Sequence, residues 1–174
     1  ACRVGDDYYM TSSSFNCLPA LQILHSKDLV NWTIIGAAVP YELSPVEFPE
    51  KPQHGSRVWA PSIRYHKGEF YIFWGDPDQG AFMTKAKDPK GPWSEPVLVK
   101  AGKGIIDTTP LWDEDGKVYM VHGYAGSRSG IKSLLGICEL NADATKAITQ
   151  SRIIFDGHDE HPTAEGPKFY KRNG

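Results

Sequence analysis

The chain of 174 residues is 40% hydrophobic and 11% aromatic, with 17 Gly, 13 Pro and a net charge of −2. Near-neutrality without a basic block leaves no electrostatic footprint for nucleic acid, and the longest apolar runs, Ile34 to Val39 and Val118 to Val121, are far too short to span a bilayer as helices. Aromatic residues suited to pleated surfaces, together with abundant turn formers, predict an all-β domain.

Ala1-Cys2-Arg3-Val4 reads as the interior of a strand, and the first unit covers about 2–39. In it Arg3–Val4 and Tyr8–Ser13 form a hairpin around Gly5-Asp6-Asp7, Leu21–His25 a third strand and Trp32–Gly36 a fourth. Residues 41–57, rich in Pro and Glu and without either period, read as a long surface loop between units. A second unit, about 58–100, repeats the layout with Ser62–Tyr65, Phe70–Trp74 and Ala81–Lys85. Its outer turn, Lys87-Asp88 to Trp93, stands where the first has Lys27-Asp28 to Trp32. A third unit, about 105–156, contains Leu111–Trp112, Val118–His122, Leu134–Glu139 and Arg152–Phe155; a fourth begins over 163–174. Cys2, Cys17 and Cys138 lack metal-ligand spacing and read as small buried hydrophobes. Asn31-Trp32-Thr33 matches a glycosylation sequon, a pattern common by chance.

Gly5-Asp6-Asp7-Tyr8, Gly68-Glu69-Phe70-Tyr71 and Gly116-Lys117-Val118-Tyr119 place a turn glycine three residues ahead of a tyrosine, and Gly174 starts the pattern again. The glycines are 63, 48 and 58 residues apart. Hairpins at such a period, without helical segments between them, mark a radial β-array whose units must pack face to face. Because closed rings need ~4–8 four-stranded blades, the chain is expected to be about three blades of a longer propeller, truncated at both ends.

Just before each inner strand stand Trp59-Ala60-Pro61, Asp107-Thr108-Thr109-Pro110 and Glu165-Gly166-Pro167. Innermost strands line the axis, so equivalent positions converge on one end of the channel. A carboxylate pair beside an aromatic wall suits glycoside cleavage. The same residues also fit plainer roles: Asp107 as a turn former, Glu165 as a loop residue and Trp59 as packing between blades.

Tyr8 to Phe15, His25 to Trp32, Val58 to Tyr65 and Ile106-Asp107 through Tyr119, in that order, resemble glycoside hydrolase family 43, nearest its β-xylosidases and α-L-arabinofuranosidases. The resemblance implies a five-bladed β-propeller and an inverting hydrolase acting on pentose-containing plant polysaccharides or oligosaccharides. It makes Glu165 the general acid, Asp107 the residue that tunes and orients it, and Phe15 and Trp59 aromatics of the terminal-sugar subsite. The general base has no match in the chain and is expected just upstream of Ala1; Asp6 and Asp7 are ordinary polar residues of the hairpin turn. The chemistry requires no metal or other cofactor, and a structural calcium near the axis is compatible with the resemblance. The implied partner is a carbohydrate, not nucleic acid or membrane, and the substrate class suggests a secreted or periplasmic protein. As an isolated piece the chain is expected to be inactive and aggregation-prone, with Tyr8, Met10, Phe169 and Tyr170 among its uncovered apolar residues. A retaining fructan-cleaving enzyme would need an Arg-Asp-Pro motif, where this chain has Ile106-Asp107-Thr108. The alternative from another class is a non-catalytic glycan- or protein-binding propeller, against which the acid pair argues.

Overall fold

The computed structural model describes residues 1–40 and 54–173. Three four-stranded antiparallel sheets follow one another, each a simple meander. The first contains β1 (Cys2–Val4), β2 (Asp7–Met10), β3 (Ala20–Ser26) and β4 (Thr33–Val39). The second contains β5 (Ser62–His66), β6 (Glu69–Asp76), β7 (Gly80–Ala86) and β8 (Val97–Ala101). The third contains β9 (Ile105–Trp112), β10 (Val118–Tyr124), β11 (Leu134–Leu140) and β12 (Arg152–Asp156), with a one-turn helix, α1 (Gly126–Ser129), between β10 and β11.

The repeat is visible in side-chain detail. Gly5, Gly68 and Gly116 have φ of 60°, 87° and 83°, the left-handed turn conformation that costs glycine least. In the outer turns, Asp28 Oδ1 accepts the Val30 and Asn31 N–H groups, and Asp88 Oδ1 accepts that of Lys90. Each indole N–H then folds back onto a turn carbonyl, Trp32 to Leu29 and Trp93 to Pro89. The third sheet makes a comparable turn without tryptophan: Asn141 Oδ1 accepts the Thr145 and Lys146 N–H groups.

The sheets stack through their faces, and β6 shows why. Phe70, Ile72 and Trp74 join Leu21, Ile23 and Val39 in one buried cluster. The alternate residues Tyr71 and Phe73 join Ile105, Val118 and Met120 in another. A strand covered on both sides reads as an unbroken apolar run, and burying each such side chain contributes about 1.5–3 kcal/mol. The inner strands succeed one another around the axis, β1 against β5 and β5 against β9.

Several sequence expectations change. Residues 97–101 add a fourth strand to the second sheet, and α1 interrupts the pure hairpin pattern. β9 starts at Ile105 rather than Leu111, so Asp107 and Pro110 lie within it. β9 is the edge of its sheet, where the missing proline N–H is tolerated. Residues 163–173 form no strand, although they run beside β9 in the same direction: Pro167 accepts a bond from Thr109, and Lys171 pairs with Asp113. Cys138 is buried, but Cys17 is exposed and Cys2 half-buried; all three are free thiols. Of the expected apolar patch, Tyr8, Met10 and Phe169 are half-buried, whereas Tyr170 is 65% exposed and lies under the Arg64 guanidinium at 4.7 Å. Residues 41–53 of the long loop lie outside the described residues.

Candidate active site

The start of β9 is not a regular strand. Val121 pairs with Thr109, and Gly123 pairs with Ile106. Between those pairs β9 has two residues, Asp107 and Thr108, while β10 has one, His122. This is a β-bulge, a device that re-aims side chains next to functional sites. Asp107 sits in it with φ of 57°, a conformation that costs a non-glycine residue on the order of 1 kcal/mol and that Asp and Asn accept more readily than most.

The bulge turns the Asp107 carboxylate toward the segment after β12. Its Oδ2 accepts the Gly166 N–H at 2.8 Å. A Cβ built on Gly123 would lie 3.8 Å from both Asp107 Oδ2 and Glu165 Cα. Asp107 and Glu165, 58 positions apart in sequence, are therefore spatial neighbours above the same glycine. Asp107 is 7% exposed, whereas Glu165 is open to solvent. Burial pushes the Asp107 carboxyl above the usual carboxylate range, and the Glu165 charge acts in the same direction. The Gly166 N–H and the Lys168 charge oppose the shift.

His122, opposite the bulge, is fully buried, and that burial lowers its pKa and favours the neutral ring. Its Nδ1 faces the Gly123 carbonyl at 3.2 Å, so Nδ1 carries the proton and Nε2 accepts from the Ser151 hydroxyl at 2.7 Å. A histidine directly after the run Val118–Val121 is its only sequence signal.

The two aromatics form a second neighbourhood. Phe15, 44% exposed, follows β2 and bridges to Val58 just ahead of β5, with its N–H donating to the Val58 carbonyl at 2.9 Å. Its ring meets that of Trp59 edge to face, centroids 6.5 Å apart. A chain of backbone contacts links this pair to the acids. The Trp59 N–H donates to the Gly75 carbonyl at 3.0 Å, and a Cβ on Gly75 would sit 2.6 Å from the Cα of Ile106, the residue before Asp107. The structure thus joins Asp107 to Glu165 and Phe15 to Trp59. It connects the two pairs through Gly75 and Ile106. Among the described residues, no group of three or more His, Cys, Asp or Glu side chains gathers that could hold a metal ion, and no helix is long and apolar enough to cross a membrane.

The model of glycosyl hydrolases family 43 matches residues 1–174. The chain belongs to that family. It is 35% identical over 172 residues to a putative β-xylosidase of Xylanibacter ruminicola, covering 99% of this chain and 31% of that protein. It is 37% identical over 175 residues to the non-reducing end α-L-arabinofuranosidase BoGH43B of Bacteroides ovatus, covering 98% and 31%. Among solved structures, the GH43 protein BlXynB of Bacillus licheniformis superposes with a TM-score of 0.81 at 34% identity, covering 99% of this chain and 34% of that one. The chain thus spans about a third of the length of these relatives. Its three sheets are blades of the family 43 β-propeller.

Within this family 43 chain, motif reading missed Gly75, His122 and Ser151, and it missed Asp78 and Arg128, which pair at 2.9 Å with the Arg128 guanidinium over the Trp59 ring. Asp78 lies in a turn and Arg128 in a short helix, where no periodicity marks either one.

Proposed function

We propose that the protein carrying this chain is an inverting glycoside hydrolase that cleaves β-D-xylosides or α-L-arabinofuranosides in plant polysaccharides or oligosaccharides. The observation that carries the proposal is the bulged, buried Asp107 gripping the backbone beside Glu165. A plain turn aspartate has no need of burial or of a left-handed backbone inside a strand. A module that only binds glycans has no need of two adjoining carboxylates.

In this reading Glu165, open to solvent and hence to substrate, protonates the leaving glycosidic oxygen. Asp107 orients the Glu165–Gly166 backbone by accepting the Gly166 N–H. Phe15 and Trp59 offer apolar ring surface to the terminal pentose. Inversion needs a third carboxylate, which activates water on the opposite face of the sugar. The family resemblance assigns that role to no residue of this chain. The substrate class favours a secreted or periplasmic protein. Any calcium near the axis would serve structure or electrostatics.

Glu165→Gln tests the reading, made in the full chain with whatever flanking sequence its gene encodes. It should slow cleavage of a pentose oligosaccharide by roughly 10²–10⁴-fold, the usual worth of general acid catalysis. An aryl pentoside, whose leaving group needs little protonation, should be slowed far less. Equal losses of kcat/KM on the two substrates would remove Glu165 from the role. The configuration of the first-formed sugar, followed by NMR, separates inversion from retention.

A further inference from the structure

The rim of this end of the molecule carries a strap between the second and third blades. Arg128 projects from α1 and lays its guanidinium carbon 5.9 Å from the centre of the Trp59 ring. Its Nε donates to Asp78 Oδ1 at 2.9 Å, and one terminal nitrogen reaches the Gly55 carbonyl at 3.5 Å. The same carbonyl accepts the Trp59 indole N–H at 3.2 Å. Both ends of the strap are anchored. Asp76 Oδ1 accepts the Asp78 and Gln79 N–H groups. The Ala125 N–H donates to Gly104, whose own N–H donates to Pro77, so the base of α1 is tied to the turn that carries Asp78.

Resting on Trp59 as a wall of the sugar subsite, we infer that Arg128 is a positioning residue that fixes the Trp59 ring and thereby sets how tightly the terminal pentose is held. A half-exposed ion pair contributes little to stability, so the Arg128–Asp78 bond is better explained by orientation than by folding. An indole held by the Gly55 carbonyl at its N–H, by a cation over the ring and by the T-shaped contact with Phe15 has its freedom removed before the sugar arrives. Binding then avoids that entropic cost. Only arginine presents a planar fork with separate donors for Asp78 and Gly55 while stacking on a ring.

The test uses Arg128→Met, which keeps the stem and removes the fork, and Arg128→Lys, which keeps the charge; Asp78→Ala removes the acceptor that anchors the Arg128 Nε. All are made in the full chain with its flanking sequence and assayed on an aryl pentoside. KM should rise roughly 2- to 10-fold in each, the range expected for one unfrozen side chain, with kcat within about twofold. Placed on Trp59→Ala, Arg128→Met should change KM no further, because its effect passes through that ring. The Trp59 indole N–H signal in NMR should shift and exchange faster in all three variants. Additive effects of Arg128→Met and Trp59→Ala, or an unmoved indole signal, would overturn the inference. A wild-type protein inactive on pentosides would instead remove the proposed function, and the indole signal would still decide the role of Arg128.

Discussion

Asp107 concentrates the tension between folding and chemistry. Its carboxyl is raised by burial first and by the Glu165 charge second. A carboxyl whose folded-state pKa lies above its unfolded value binds its proton more tightly in the fold. Its stabilising share is full below the unfolded value, ~3.9, and is lost as pH rises through the folded one. Asp107→Asn does not titrate, tolerates the positive φ and can still accept the Gly166 N–H. Thermal melts should show the variant gaining on wild type as pH rises from about 4 toward neutrality. A difference that stays flat across that interval would show that burial imposes no penalty on the charge. The sequence carries this residue's identity but not its geometry. Asp107-Thr108-Thr109-Pro110 looks like the approach to a strand because proline is expected to start one. A bulge is a property of two strands in register, and neither strand alone reveals that His122 stands opposite two residues.

Among elements, the contact between β6 and β9 aims the site, and two glycines divide the work. A Cβ on Gly75 would meet Ile106 Cα at 2.6 Å and the Ile105 carbonyl at 2.7 Å, backbone atoms that no rotamer change can move away. Gly75→Ala must therefore push β9 off β6. Overpacking of this kind costs about 1–3 kcal/mol, and Asp107 moves with its strand. Gly123 lies under the acids, yet a Cβ there would find nothing nearer than 3.7 Å. Gly123→Ala should be neutral or slightly stabilising, since it restricts the unfolded chain without a clash. Urea unfolding of the two variants beside kcat/KM is the check. A Gly75→Ala protein as stable and as active as wild type would mean that this close approach does not set the position of Asp107. The hairpin glycines are legible in the sequence because a left-handed turn demands glycine locally. Gly75 sits inside an apolar strand and answers to a backbone from the next blade, a requirement that no local pattern records.

At the scale of the whole molecule, the repeat is what the sequence states most clearly, and the reason is physical: each blade must solve the same turn and face-packing problem. The outer turn of the third sheet shows the limit, because Asn141 meets that demand without the tryptophan that marks the other two. β8 escapes pattern reading for a related reason. Val97–Ala101 is a short outer strand following a proline-rich turn, and only Val99 of its five residues is fully buried. Face-to-face stacking also makes a prediction about cooperativity. Phe73, fully buried, belongs to the cluster between the second and third sheets, and its neighbour Ile72 to the cluster between the first and second. Phe73→Ala should cost about 3–5 kcal/mol and Ile72→Ala about 2–5 kcal/mol. If blades couple mainly to their neighbours, the losses will be local. Hydrogen exchange should then quicken most in β9–β11 for Phe73→Ala and most in β3–β4 for Ile72→Ala, with β6 affected by both. An equal rise over all three sheets in both variants would instead make the array a single cooperative unit, in which a defect at either interface reaches Asp107 and Glu165 with the same force.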